Sequence, residues 1–337
     1  MLPSIPLTRT LQFVVVFMLS GMAAQACNIP VFRYALERWN PDSCEVIVFH
    51  RMALKADDEI RIQALEQASL AGNGVANLNV IRCDVATTQD KELSDLWETV
   101  KGKSGSSLPT MVIRSKHGKD RIINHWHGSL DQAEVEGLVE SPARAELIRR
   151  LQSGDAIVWL LLKSPDEGRT KIVREMLRAQ CEALPKKVEL PEGIGLPGSE
   201  LYSEVPLLLQ FSVLEIDPSD PKEQFLVKLL TGFQPEAAES GEPLIAPVFG
   251  RGRALEVVPA GQLDAELMEG LTVFLCGACS CQVKEQNPGF DLLLSTNWNT
   301  VLFGEDSEGP PPVEPTGSGR AKEPVLVPIP PGKKTIK

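Results

Sequence analysis

Apolar and polar residues follow one another along the chain in blocks that predict strands and helices in regular succession. The run Glu45 to His50 is rich in β-branched residues and is typical of a buried strand. Asp57, Asp58 and Glu59 form the acidic first turn of a helical pattern that ends at glycine. The predicted elements are, in order, a strand over 45–50, a helix over 57–72, a strand over 78–85, a helix over 90–101, two strands between 108 and 129, and a helical region over 130–151 with a new start at Ser141.

The second half of the chain repeats this order. An offset of 133 residues relates Gly128 to Gly261, and the same offset relates Val80 to Val213 and Leu93 to Leu226. In both copies a proline enters an apolar strand, a hairpin follows, and Gly-x-Leu-Asp leads into a helix, which indicates an internal duplication. The predicted elements of the second copy are a strand over 156–163, a helix over 166–184, a strand over 206–217, a helix over 221–230, and the hairpin and helix over 246–271.

The order of elements, with Leu108-Pro109-Thr110 opening the third strand, resembles the thioredoxin-like fold. The resemblance implies an α/β chain of two tandem thioredoxin-like domains, each a central mixed sheet flanked by helices. Their expected bounds are 27–152 and 153–303, with an inserted surface loop over 185–204. In that family the proline before the third strand is cis and lies beside the active site, a place given to Pro109 in the first copy and to Pro247 in the second.

The cysteine pair of that family is missing from both copies. A thioredoxin-like enzyme needs Cys-x-x-Cys directly after the first strand, where the helix N-terminus lowers the pKa of the thiol. The corresponding segments are His50 to Lys55 and Lys163 to Gly168, and neither contains cysteine. The resemblance therefore carries a fold without its activity. It favours a non-catalytic binding or scaffold protein that holds a protein or peptide at its sheet edges or beside Pro109 or Pro247.

The first 26 residues have the pattern of a secretory signal peptide. Arg9 is the only charge, an apolar run follows, and Ala24-Gln25-Ala26 supplies small residues for cleavage. The chain is therefore expected to be exported, to the periplasm or cell envelope. The alternatives are an uncleaved anchor and a lipid on Cys27, the first residue after cleavage. The segments CNIPVFRYALERW and CSCQVKEQNPG also resemble a group of exported bacterial proteins with no assigned function, and the Pro-rich residues 304–337 are expected to be a disordered tail.

The densest chemical motif is Cys276-Gly-Ala-Cys279-Ser-Cys281. Three thiols at this spacing predict a structural disulfide at the exit of the last helix. The alternatives are a soft-metal site, for zinc or copper, and a reactive thiol that would make the chain a thiol-disulfide oxidoreductase or chaperone. Convergence of the thiols requires the backbone to leave the helix, which Gly277 allows. No other cofactor is expected.

The remaining candidates are weaker. His125 and His127 alternate on a strand and would share one face, so they form a second metal candidate beside the simpler reading of hydrogen-bonded strand residues. Arg251 and Arg253 form a basic hairpin tip, expected to be a solvated turn. The net charge of −11 argues against a nucleic-acid partner, since no cluster of basic residues is present to bind phosphates.

Overall fold

A computed structural model describes residues 28–72, 74–103, 107–117, 121–279, 283–305 and 309–310, without some of the side chains between 116 and 136. The described residues form two mixed β-sheets flanked by helices, which confirms the predicted α/β class. The predicted signal peptide (1–26) and the tail beyond residue 310 lie outside the described residues.

The first sheet has four strands in the order β2-β1-β3-β4. The strands are β1 Cys44–His50, β2 Leu78–Asp84, β3 Thr110–His117 and β4 Arg121–Ser129. β1 is parallel to β2 and antiparallel to β3, and β3 and β4 form an antiparallel hairpin. The helices of this half are α1 Val31–Arg38, α2 Ala56–Ala68, α3 Lys91–Val100, α4 Gln132–Val139 and α5 Pro142–Gln152.

The second sheet repeats that strand order and adds two short strands. β5 Ile157–Leu162 is parallel to β6 Phe211–Ile216 and antiparallel to β7 Leu244–Phe249. Short strands extend the sheet on the other side of β7: β8 Arg253–Ala254, β9 Val258–Pro259 and β10 Phe290–Asp291. The helices of this half are α6 Glu167–Ala183, α7 Gln224–Phe233, α8 Pro235–Glu239, α9 Ala265–Cys276 and α10 Trp298–Phe303.

One apolar cluster joins the two halves. It contains inward-facing residues of both sheets, such as Val48 and Leu160, together with Leu65 of α2, Leu147 of α5 and Leu229 of α7. Two further clusters cover the outer faces, one between the first sheet and α3 and one between the second sheet and helices α1, α6 and α9. The halves thus share an inner core, and each keeps an outer helical layer of its own.

Most predicted elements are present, and the differences concern the start of one strand and three helices. β6 begins at Phe211 rather than at Pro206, because its neighbour β5 begins at Ile157 and leaves the preceding residues without a parallel partner. Residues 31–38 form a helix ahead of the first strand. The short helices α8 and α10 are additions that the periodicity does not predict.

The insert over 185–204 is more than a surface loop. Its Ser199 and Ser203 are buried, and the segment holds the N-terminal helix against the second half. Ser199 Oγ accepts a hydrogen bond from the backbone N–H of Asn28 at 3.0 Å. Glu37 of α1 accepts hydrogen bonds from the backbone N–H groups of Tyr202 and Ser203, each at 3.1 Å. The insert is therefore one wall of the pocket in which α1 packs.

Candidate functional site

In the thioredoxin-like arrangement that the sequence resembles, the active site would lie in the turn after β1. The antiparallel register pairs Phe49 with Thr110, which puts His50 at the level of Pro109. The His50 ring Nδ1 lies 3.1 Å from the carbonyl oxygen of Met52. Met52 has a positive φ of 62° and is 75% exposed, so the turn presents a flexible apolar side chain in a backbone conformation that non-glycine residues rarely adopt.

The matching turn after β5 is closed by polar contacts. Lys163 Nζ lies 2.6 Å from Asp217 Oδ2, and this pairing holds the pKa of the Asp217 carboxyl well below its usual range. Ser164 Oγ donates to the carbonyl of Gly241 at 2.6 Å, and Asp166 caps α6 by accepting from Gly168 N. This turn is fixed in place by its neighbours.

The two prolines of the repeat do not occupy equivalent places. The Leu108–Pro109 peptide bond is cis, and within the described chain it is the one cis bond. Pro109 immediately precedes β3, whereas Pro247 is buried inside β7 opposite Trp159. Pro243 immediately precedes β7 and takes the position that Pro109 has in the first half. A cleft beside Pro247 is therefore filled by the sheet itself.

The cysteine segment lies where α9 ends and the N-terminal segment begins. α9 stops at Cys276, and Gly277 follows with extended backbone angles, as the sequence predicts. The chain then pairs with the residues before α1: Val31 N donates to Gly277 O at 3.0 Å, and Cys279 N donates to Ile29 O at 2.9 Å. The Cys276 and Cys279 side chains are 0% and 2% exposed, so both are held in the core.

Burial makes four thiols of the described chain poor nucleophiles. Desolvation raises the pKa of Cys276, Cys44 and Cys181 to about 12 each, and it also raises that of Cys83. These four thiols are free. At neutral pH the thiolate, which is the attacking species, is therefore almost absent from them.

The disulfide and metal interpretations of this motif depend on Cys281. Cys281 and Cys27 lie outside the described residues, so the predicted disulfide brace stays a prediction. Among the residues that the structure describes, no group of three or more His, Cys, Asp or Glu side chains is placed to hold a metal ion.

The shared face expected for His125 and His127 is interrupted. The pairing of β3 with β4 shifts between Ile113, opposite Trp126, and Arg114, opposite Asn124, which leaves His125 as an extra residue. The strict alternation that would put both imidazoles on one face is lost at that point. The His125 side chain lies outside the described part, and the His127 side chain is half-buried.

The basic hairpin tip is buried, and the expectation of a solvated turn is wrong. Arg251 donates to the carbonyl oxygens of Leu36 and Glu37 at 2.7 and 2.9 Å, and burial lowers its pKa to about 10. Arg253 pairs with the buried carboxylate of Asp291 at 3.1 Å. The hairpin tip binds the end of α1, a long-range contact that local sequence patterns do not reveal.

A second group of charged residues escaped the sequence analysis. Asp291 also pairs with Lys284, which lies 2.9 Å from Asp42 and donates to the carbonyl of Asn40 at 2.6 Å. These contacts fasten the segment after the cysteines to the residues after α1. The signal available in sequence was Asp291, a charged residue within the apolar run Phe290 to Leu294.

The comparisons with known proteins give no family. No family model matches the chain, and none of the curated proteins matches it significantly. Within the described residues, none of the helices is both long enough and apolar enough to cross a membrane.

Proposed function

We propose that the chain is an exported, non-catalytic binding or scaffold protein built from two thioredoxin-like domains that lack the redox site. The fold assignment is supported by the strand order, since β2-β1-β3-β4 and β6-β5-β7-β8 have the same sequence of parallel and antiparallel pairs. In this proposal the domains span 27–152 and 153–303, and the chain works in the periplasm or cell envelope.

The observation that carries the proposal is the absence of cysteine from both turns where the redox pair would lie. The turn after β1 offers His50, Arg51 and Met52, and the turn after β5 is occupied by Lys163 and Ser164 with their partners. The raised pKa of Cys276 supports the same conclusion, because a thiol in the core does not supply the activity that the turns have lost.

The surface that best suits a partner is the turn after β1 together with the free edge of β2. β2 pairs only with β1 in the described sheet, so its other edge is open to an added strand. Met52 projects from the adjoining turn and offers an adaptable apolar contact. An extended peptide with an apolar residue is the partner chemistry that this combination fits.

A turnover assay tests the non-catalytic part of the proposal. The full exported chain should neither reduce insulin nor oxidise a dithiol peptide above the buffer rate. Turnover that is lost in Cys276→Ser, or in Cys279→Ser combined with Cys281→Ser, would establish a thiol-disulfide enzyme instead. Thiol counting with disulfide mapping on the same preparation separates a structural disulfide from a metal site.

A binding assay tests the surface. Extended peptides from a randomised library should bind with an affinity that Met52→Asp reduces about tenfold, since an apolar contact is lost and a charge is desolvated. Ile60→Asp is the matched control, because Ile60 is similarly exposed, at 64%, but lies on α2. Equal affinities in the two variants would remove the turn from the binding surface.

A further inference from the structure

The described chain begins at a defined point on the surface of the second half. Asn28 N donates to Ser199 Oγ of the insert, and the next residues pair with the end of α9 through Val31 N to Gly277 O and Cys279 N to Ile29 O. Asn28, the first described residue, therefore lies between the insert and the C-terminal end of α9.

Exposed apolar side chains lie beside this point and at the adjoining end of α9. Leu196 is 61% exposed, and a Cβ built on Gly193 would lie 3.6 Å from its Cδ1 and 3.1 Å from Nδ2 of Asn28, so Leu196 and Asn28 are neighbours. Val273 and Phe274 are 52% and 40% exposed in the last turn of α9, directly before Gly277. We call Leu196, Val273 and Phe274 the entry face.

The pattern along α9 sets this end apart. Its first two turns present glutamates toward solvent: Glu266 is exposed and Glu269 is half-buried. Such polar positions suit a helix in water. In the last turn the solvent-facing positions are apolar instead. Because a soluble helix normally keeps polar residues on its outer face, the exposed apolar end indicates a contact that covers it.

The sequence that precedes the described residues indicates what covers this surface. Residues 11–24, LQFVVVFMLSGMAA, form an apolar segment directly upstream, and Cys27 precedes Asn28. Retained as an anchor, the segment would hold the body to a membrane at this point. A lipid on Cys27 would hold it at the same point. Either of these two alternatives to a cleaved, lipid-free N-terminus would bring a lipid surface to the entry face.

We propose that the entry face rests on the lipid surface, with the side chains of Leu196, Val273 and Phe274 in the interfacial layer. Aromatic and aliphatic side chains at a tethering point add apolar burial to an anchor that is weak when it consists of one acyl chain. The three side chains of the entry face are uncharged, and the nearby Glu269 is paired with Lys187 at 2.6 Å, so the contact is apolar rather than electrostatic. This inference goes beyond the proposed peptide-binding function and does not depend on it.

A tryptophan placed on the entry face tests the proposal. The full chain, exported with its native N-terminus, is reconstituted on phosphatidylcholine vesicles as Phe274→Trp and, for comparison, as Ile172→Trp. Ile172 is 70% exposed in the second turn of α6. Arg169, near the start of α6, donates to Ser240 O, and Gly261 N, shortly before α9, donates to Glu242. The starts of the two helices are therefore close together. Ile172, near the start of α6, is at the opposite end of the helical layer from Phe274, in the last turn of α9.

The expected result is an added fluorescence component in Phe274→Trp that is shifted to the blue on vesicles and quenched by lipids brominated near the headgroup. Ile172→Trp should add a component that neither shifts nor is quenched. Equal behaviour of the two variants, or recovery of the exported chain without any attachment to vesicles, would overturn the proposal.

Hydroxyl-radical footprinting tests the same lipid contact on the unmodified chain, without a substitution. Hydroxyl radicals should label Leu196 and Phe274 less on vesicles than in detergent-free solution, with labelling of Ile172 unchanged. Unchanged labelling of Leu196 and Phe274 on vesicles would sink the idea. A failed peptide-binding assay would leave this result untouched, so the two proposals fail separately.

Discussion

At the scale of single residues, buried charged side chains hold particular segments of the chain together. Arg33 and Glu37 lie one turn apart on α1, with side chains 2% and 0% exposed and a separation of 2.8 Å between Nε and Oε1. Arg33 also donates to the carbonyl oxygens of Ser203 and Val205 at 2.6 Å each. The pair therefore joins the N-terminal helix to the insert through groups that have no water to replace a lost partner.

Removal of one member of this pair should be costly. We expect Glu37→Ala to lower the free energy of unfolding by about 3–5 kcal/mol, because it leaves Arg33 charged and buried without its carboxylate. The double variant Arg33→Met with Glu37→Leu should recover part of the loss. Urea unfolding at pH 7 measures both. Asp95→Ala, which breaks the exposed pair with Lys91, is the control and should change little. A small effect of Glu37→Ala would show that water reaches the pair.

The buried thiols predict a loss of stability at alkaline pH. The pKa of Cys276 is raised to about 12, so the unfolded chain ionises this thiol first. The contribution of the neutral, buried Cys276 thiol to the free energy of unfolding is fully present below pH 9 and is lost as the pH rises toward 12. Between pH 8 and pH 10 the wild type should lose about 1 kcal/mol more than a variant without the thiol. Cys276→Ala and Cys276→Val differ in side-chain volume, so they disturb the packing differently. If the free energy of unfolding falls less steeply with pH in both, the effect is assigned to ionisation of the thiol. A wild-type slope in either variant would contradict the raised pKa.

At the scale of secondary-structure elements, the repeated Gly-x-Leu-Asp motif is a helix start. In the second copy Asp264 accepts a hydrogen bond from Leu267 N at 2.9 Å and caps α9. In the first copy Asp131 immediately precedes α4, and Val135 N donates to its carbonyl oxygen. The motif keeps the same place in both halves, and in the second the aspartate side chain satisfies an N–H group that the helix leaves unpaired.

Loss of this cap should weaken α9 and with it the attachment of the cysteine segment. Asp264→Ala should lower the free energy of unfolding by about 1 kcal/mol, whereas Asp264→Asn, which keeps an acceptor, should cost much less. Thermal unfolding followed by circular dichroism distinguishes the two. Equal losses in both variants would mean that the charge at the helix N-terminus matters more than the hydrogen bond.

Sequence patterns predict the elements better than their contacts. The apolar runs and caps locate β1, α3 and α6 within one or two residues, because these signals are local. The same patterns misplace the start of β6, treat Pro247 as the partner of Pro109, and leave Arg251 in solvent. Each of these errors concerns a residue whose place is set by a segment far away in the chain, such as β5 or α1. Spacing alone identifies the candidate thiols. Their burial depends on the packing of the N-terminal segment against the end of α9, which the spacing does not predict.

At the scale of the whole molecule, residues 290–303 connect the two halves. β10 joins the second sheet, and the residues after it bind the first half through Asn77. Asn77 Nδ2 donates to Leu292 O at 3.1 Å and to Asp42 O at 2.8 Å, and Leu294 N donates to Asn77 Oδ1 at 2.6 Å. Glu223 adds a second connection by accepting from Ser141 Oγ and from Ala143 N. Together with the shared apolar core, these contacts predict that the halves unfold as one unit.

The substitution Asn77→Ala tests this cooperativity. It removes three hydrogen bonds of a buried side chain and leaves Leu294 N without that acceptor, so the free energy of unfolding should fall by about 2–4 kcal/mol. The decisive readout is whether probes in the two halves move together. In a background with a single tryptophan at Trp97 of α3, and in another with one at Trp159 of β5, urea midpoints should fall by the same amount. A fall confined to the Trp97 reporter would mean that the first half unfolds alone, and that the duplicated units are independent domains despite the core they share.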